Sequence, residues 1–240
     1  MSVAADDLDA RLALGGLVKI CGIREPEHAV AAVAAGADLI GFIFAQARRQ
    51  VTPQHARACI SAARRAAGGN RILAVGVFVD AGVDEIAAII ATAGLDVVQL
   101  QGEETPEQIG QIEAPVTKAF RPRPGDSAAD LVANIERYTR ADVPPAAVLI
   151  DAYVPGEAGG SGVAADWDLA RRVGEVCPMM LGGGLHGGNV AEAIGLVRPL
   201  GVDVSSGVET AGVKDPEKIA AFIAAARQGF GGELAEARRC

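Results

Sequence analysis

Val18–Phe44 reads VKICGIREPEHAVAAVAAGADLIGFIF. It opens on a short apolar run, Val18–Cys21, and passes through a proline-led, alanine-rich stretch, Glu27–Ala35. It then turns at Gly36-Ala37-Asp38 and closes on a second apolar run, Leu39–Phe44. The two runs are short and rich in β-branched and aromatic residues, as strands are, while the segment between them has helical composition. A glycine directly after such a helix suits the C′ position, where φ is positive. The unit is a strand, a helix, a tight turn and a second strand.

The unit recurs along the chain. Further strands are expected at Leu73–Val79, Val97–Leu100, Val116–Phe120, Val148–Asp151, Met179–Leu181 and Val202–Ser205. Helices are expected near Pro53–Ala66, Asp84–Ala93, Pro106–Ile112, Ala128–Thr139, Asp166–Glu175, Asn189–Val197 and Pro216–Arg227. The turn recurs too, as Gly94-Leu95-Asp96 and Gly201-Val202-Asp203. Eight alternating units without a hairpin signal predict a parallel sheet and an α/β fold of the (β/α)8 TIM-barrel class. An open doubly wound sheet would use similar turns, but no GxGxxG follows the first strand. We expect one barrel domain over 17–228, with 1–16 an N-terminal extension and 229–240 a C-terminal tail, both peripheral.

Composition removes several functions. Half of the 240 residues are hydrophobic and 22% are charged, which excludes a disordered chain. The four cysteines show neither CxxC nor Cys/His metal spacing, so a reduced protein is expected, with no metal and no cofactor. No apolar run approaches the roughly 18 residues of a membrane span. Met1–Leu17 carries Asp6, Asp7 and Asp9 where a secretory signal has basic residues, so a cytoplasmic location is expected. A net charge of -8 argues against nucleic-acid and membrane partners and leaves a small anion, bound by a local cationic patch, as the expected ligand. Monomer and homodimer remain open.

In a barrel, function belongs on the loops after the strands' C-terminal ends. Alternation puts Lys19 and Cys21 on the inner face of strand 1, and a lysine there needs a partner; Asp203 on strand 8 qualifies. Cys21 is either an inert buried thiol or a reactive one. Asp151, ending strand 6, is either a cap or a general acid whose pKa burial raises. Gly182-Gly183-Gly184-Leu185 and Ser205-Ser206-Gly207-Val208-Glu209 follow strands 7 and 8, where barrels bind phosphate on backbone N–H groups. Arg48 and Arg49 follow strand 2 and suit a substrate carboxylate. His28 and His55 are expected at the surface and His186 near the mouth. Fourteen of the 30 glycines lie between Gly156 and Gly212, so close backbone approach, and a lid at Tyr153–Gly162, are expected there.

Together these stretches resemble the phosphoribosylanthranilate isomerase family, the metal-free barrel enzymes of tryptophan biosynthesis. The resemblance rests on Lys19-Ile20-Cys21-Gly22-Ile23, Gly36-Ala37-Asp38 with Gly41-Phe42-Ile43-Phe44, Val75–Val79 and Val97-Val98-Gln99-Leu100. It continues with Asp151 followed by Gly159-Gly160-Ser161-Gly162, Asp166-Trp167, Gly183-Gly184-Leu185 with Asn189, and Val202–Glu209 with Gly212–Pro216. It implies an Amadori rearrangement of N-(5-phosphoribosyl)anthranilate to 1-(2-carboxyphenylamino)-1-deoxyribulose 5-phosphate. By the resemblance, Asp151 protonates the furanose ring oxygen and Cys21 removes the C2 proton. Arg49 holds the anthranilate carboxylate, with Arg48 the alternative one register away. Gly183, Gly184, Ser206 and Gly207 hold the phosphate, and Asp203 faces the substrate. Lys19 lowering the Cys21 pKa is our own addition. The chain departs from the family pattern at Gln101, where histidine is common. Other readings are another phosphosugar isomerase or epimerase, which would want a second strand-end aspartate or metal ligands, and a non-catalytic barrel, which would need neither Cys21 nor Asp151.

Overall fold

The computed structural model describes residues 3–68, 71–122, 125–151 and 166–237. Helix α1 (Val3–Leu14) leads into β1 (Leu17–Ile20), α2 (Pro26–Ala35), β2 (Leu39–Ile43), α3 (Pro53–Ala67) and β3 (Leu73–Phe78). Then come α4 (Val83–Ala93), β4 (Val97–Leu100), α5 (Pro106–Ile109), β5 (Val116–Phe120), α6 (Ala128–Thr139) and β6 (Ala147–Asp151). The chain ends with α7 (Trp167–Gly174), β7 (Met180–Gly182), α8 (Val190–Val197), β8 (Gly201–Val204), the short strands β9 (Glu209–Thr210) and β10 (Val213–Lys214), and α9 (Pro216–Ala237). Strands β1 to β8 close into a barrel in sequential order, all parallel, with β8 paired back to β1. The expected TIM barrel is the fold.

Alternation along each strand sorts the side chains into two cores. Val18, Ile20, Ile40 and Phe42 point outward and pack under the helices with residues such as Ile60 and Phe222. Leu17, Leu39, Leu73, Val75, Val97, Ala119, Leu149 and Met180 fill the lower barrel interior.

The ends of the chain depart from expectation. Residues 3–14 form a helix, and its Leu8 and Leu12, one turn apart, join the interior core; Leu8 is 1% exposed. The segment read as a peripheral extension therefore plugs the barrel floor. Two leucines among three aspartates make too thin an apolar stripe to announce a buried helix. At the other end α9 runs through the expected boundary to Ala237, and Phe230 is buried against Gly16. The glycines at 229, 231 and 232 lie inside it. His28, expected at the surface, is buried on α2.

The three Gly-x-Asp turns are not equivalent. Gly36 and Gly94 are left-handed caps with φ of 95° and 76°. Their aspartates do one job: Asp38 Oδ2 accepts the Val18 N–H at 2.8 Å, and Asp96 Oδ2 accepts that of Ala74 at 2.9 Å. At the third turn Arg198 takes the left-handed conformation, and Gly201 already lies in β8, where a Cβ would fall 2.6 Å from that of Leu17. Asp203 is thus released from turn duty and points into the barrel.

Because Leu8 belongs to the lower interior core, Leu8→Ala should cost about 2–5 kcal/mol of unfolding free energy in a urea titration while leaving turnover close to wild type. A loss below about 0.5 kcal/mol, the range of surface substitutions, would mean that α1 does not plug the floor.

Candidate active site

Strand register builds the centre of the site. Lys19 on β1 lies level with Asp203 on β8, and Lys19 Nζ meets Asp203 Oδ2 at 2.9 Å with both side chains almost wholly buried. Asp151, the last residue of β6, lies level with Gly182 on β7. A Cβ at Gly182 would be 3.6 Å from Asp151 Oδ1 and 3.7 Å from the Cβ of Asp203. The row across three adjacent strands is therefore carboxyl, gap, carboxylate. Asp203 Oδ1 and the neighbouring Ser205 Oγ are buried without a hydrogen-bond partner among the described residues. Buried polar atoms left open in this way suit a polar ligand.

Cys21 follows β1 and joins this group. A Cβ on Gly41 of β2 would stand 2.8 Å from Cys21 Sγ and 3.2 Å from Lys19 Cε, so the bare glycine makes room for both side chains. Burial pushes the Cys21 thiol above its ordinary range; Lys19 and Lys214 pull it back, and Asp203 adds to the rise. Lys19 acts in the direction expected of it, but burial outweighs it, so the thiolate is a minority at neutral pH. Lys19 itself is held above its usual value, since Asp203 and Cys21 overcome the cost of burial.

Burial also raises the pKa of Asp151; Arg121 opposes the rise and Asp203 reinforces it. Gln101 Nε2 donates to Asp151 Oδ2 at 2.9 Å, and Arg121 Nε lies 3.4 Å from the same oxygen. The same residue type meets opposite fates two strands apart: Asp203 is locked to an ammonium, whereas Asp151 is disposed to carry a proton.

The rim after β2 and β8 is organised by Glu209. Its carboxylate accepts Arg49 Nε at 2.6 Å and Arg49 Nη2 at 2.9 Å, a two-pronged contact, and also Arg48 Nη2 and Lys214 Nζ, each at 3.0 Å. Burial works to raise its pKa, but Arg49 and Lys214 bring it down to about 2. Three cations around one carboxylate leave a local positive surplus on a chain whose net charge is -8. Arg49 is buried, whereas the Arg48 side chain is 57% exposed.

After β7, Gly183 and Gly184 adopt φ of 84° and 65°, and Asn189 closes the loop by binding Gly184 O and the His186 N–H. Ser206 and Gly207 belong to a short 3-10 turn after β8. A Cβ at Gly207 would overlap the Leu185 carbonyl, so the two loops meet through that glycine. His186 sits in the loop after β7, as expected, and His55 lies on α3.

Cys21, Asp151, Arg49, Asp203, Gly183, Gly184, Ser206 and Gly207 all fall in β6, β7 or β8 or in loops at the same end of the barrel. Sequence reasoning gave no role to Arg121, Glu209, Lys214 or Gly41. Arg121 follows β5 directly, and the rule that found Asp151 applies to it equally. Glu209 and Arg49 are 160 positions apart, and nothing local pairs them. The expected lid at Tyr153–Gly162 lies outside the described residues. Among those residues no helix is long and apolar enough to cross a membrane, and no group of metal-ligating side chains occurs.

Comparison with known proteins agrees with this geometry. Residues 18–225 match the family model described as N-(5'phosphoribosyl)anthranilate (PRA) isomerase. An N-(5'-phosphoribosyl)anthranilate isomerase of Roseiflexus sp. (strain RS-1) is 46% identical over 214 residues, covering 88% of this chain and 97% of that protein. The crystal structure of phosphoribosyl anthranilate isomerase from Thermotoga maritima is similar, with a TM-score of 0.76 and 33% identity over 88% of this chain and 98% of that one. A structure of such an isomerase in complex with reduced 1-(o-carboxyphenylamino)-1-deoxyribulose 5-phosphate has a TM-score of 0.70 and 32% identity, with 88% and 98% of the two chains covered.

A carboxylate whose folded pKa is depressed stabilises the fold above its unfolded value, and that contribution fades as pH falls. For Glu209 the window runs from about pH 4.5 down to about 2. Glu209→Gln should therefore be less stable than wild type at neutral pH and show a flatter decline in urea midpoint through this window. Parallel stability–pH curves for the two proteins would overturn the assignment.

Proposed function

The chain belongs to the N-(5'-phosphoribosyl)anthranilate isomerase family, and from that membership we infer an Amadori rearrangement run by Asp151 as acid and Cys21 as base. It converts N-(5-phosphoribosyl)anthranilate to 1-(2-carboxyphenylamino)-1-deoxyribulose 5-phosphate in tryptophan biosynthesis. The supporting observation for the two roles is the row of Asp151, the gap at Gly182 and Asp203, with Cys21 beside Lys19 and Asp203. A sugar ring lying over the gap meets a proton donor on one side and a thiol on the other.

Asp151 gives its proton to the furanose ring oxygen. The C1–O bond breaks while the nitrogen lone pair forms the C1=N Schiff base. That cation acidifies C2–H, and the Cys21 thiolate takes the proton; the electrons form C1=C2 and neutralise the nitrogen. The enolamine becomes the ketone by losing its O2 proton and gaining one at C1. Asp151 and Cys21 return to their starting states by exchange with solvent. Raised pKa values suit both groups: a partly buried carboxyl stays protonated to higher pH, and a thiolate of high pKa is a stronger base.

Arg49, oriented by Glu209, holds the anthranilate carboxylate, and the surplus charge of Arg48 and Lys214 favours that anion. Asp203 Oδ1, unpartnered among the described residues, accepts from a ribose hydroxyl. Gly183, Gly184, Ser206 and Gly207 hold the phosphate on backbone N–H groups. The enzyme acts in the cytoplasm as a monomer or homodimer on this small phosphorylated substrate, with neither nucleic acid nor membrane as partner, and no bound metal or cofactor enters the steps.

The test is turnover, read from the fluorescence change of N-(5-phosphoribosyl)anthranilate on mixing with purified protein without added metal. No turnover would overturn the reading. Asp151→Asn and Cys21→Ala should each lower kcat by at least about 10²-fold, as loss of a general acid or base does; near wild-type rates would reject that residue's role. Arg49→Ala should mainly raise KM, and if Arg48→Ala does so instead, the carboxylate ligand is Arg48.

A further inference from the structure

Asp151 has two oxygens in different surroundings. Oδ2 receives the Gln101 amide at 2.9 Å and has the Arg121 guanidinium at 3.4 Å. Oδ1 has no hydrogen bond among the described residues and faces the space over Gly182, where a Cβ would lie 3.6 Å away. An oxygen that accepts from N–H donors is the carbonyl-like one of a protonated carboxyl, so the hydroxyl falls on the other.

We propose that Gln101 and Arg121 are positioning residues that clamp Asp151 through Oδ2, so that its transferable proton sits on Oδ1 and points at the substrate. This rests on the reading of Asp151 as the acid and assigns that acid its reacting atom. When Oδ1 releases its proton to the ring oxygen, the negative charge left on the carboxylate is met by the Arg121 guanidinium and the Gln101 N–H. The clamp acts without touching the substrate.

Gln101 is itself held in place. The next residue, Gly102, donates its N–H to both oxygens of Glu104, at 3.1 and 3.0 Å. Glu104 also accepts the Asp80 N–H at 2.9 Å and pairs with Lys118 at 2.8 Å, both side chains 2% exposed. Lys118 returns a bond to Gly102 O at 2.5 Å. A Cβ on Gly102 would collide with Asp80, so the loop after β4 is tied to the loop after β3 and to β5. The amide that reaches Asp151 projects from a fixed base. The charged groups facing Asp151 are Arg121 from the end of β5, Asp203 from β8 and Lys19 from β1, and of these Arg121 opposes the rise in its pKa most strongly.

The experiment follows the Asp151 carboxyl by 13C NMR in protein labelled at aspartate carboxyls, its signal assigned by its loss in Asp151→Asn, alongside kcat and KM. In Arg121→Met the Asp151 titration midpoint should rise by about 1 pH unit, as loss of a nearby opposite charge requires. Arg121→Lys should bring it back toward wild type. In Gln101→Leu kcat should fall by roughly 10- to 100-fold through misplacement of the acid, with KM within about threefold, and Gln101→His, which keeps a donor, should recover much of the loss. An unmoved Asp151 titration in Arg121→Met, or an unchanged kcat in a folded Gln101→Leu, would overturn the clamp. Should Asp151→Asn itself turn over like wild type, the reading of Asp151 as acid fails; an inactive Asp151→Asn with unmoved clamp variants overturns the clamp alone.

Discussion

A lysine ammonium inside a barrel has to be neutralised, and the Lys19–Asp203 pair does this at the seam where the barrel closes. Closure brings β8 beside β1, and the register puts the two charges level, so the contact exists only if all eight strands are in place. An unpaired charge at that depth would cost several kcal/mol. The pair also divides the interior by chemistry. Aliphatic side chains and the leucines of α1 lie in one core, while Cys21, Asp151 and the open atoms of Asp203 and Ser205 gather around the pair.

Space in the site comes from side chains that are missing. Gly41 leaves room for Cys21 and Lys19, Gly182 leaves a gap between two carboxyl groups, and Gly207 lets the loop after β8 reach the loop after β7. At Gly183 and Gly184, as at Gly22 and Gly212, backbone freedom is also needed, since all four have positive φ. Among the described residues, the glycines of the site therefore serve two distinct physical ends, contact distance and backbone angle.

The fold was legible because its signals are local. Alternation within a strand, alanine-rich helices and a glycine after several of the helices repeat often enough to be counted. The inward direction of Lys19 and its pairing with Asp203 followed from alternation and barrel closure alone. The pairings Gln101–Asp151, Arg121–Asp151 and Arg49–Glu209 did not, because a sequence shows which face a residue occupies and not which atom it meets across the mouth. The Gly-x-Asp repeat misled for a related reason. Asp38 and Asp96 cap backbone N–H groups, whereas the third aspartate entered the site because Arg198, not Gly201, makes its turn. The buried α1 was missed because its apolar stripe has only two strong members, Leu8 and Leu12, and a stripe that thin is legible only against the surface it covers.

Asp151 and Asp203, two strands apart, stand in different surroundings. Asp203 shares a short contact with an ammonium whose own pKa is raised, and its charge adds negative potential to the pocket. Burial is the main cause of the raised pKa of Asp151 and of Cys21, and that potential adds to both. Burial and this anion together favour a protonated Asp151 and a more basic Cys21 thiolate, the two conditions that the proposed ring opening and C2 deprotonation demand. The ion pair that closes the barrel thus also bears on Asp151 and Cys21, so that stability and the proposed chemistry converge on residues from the first and last strands.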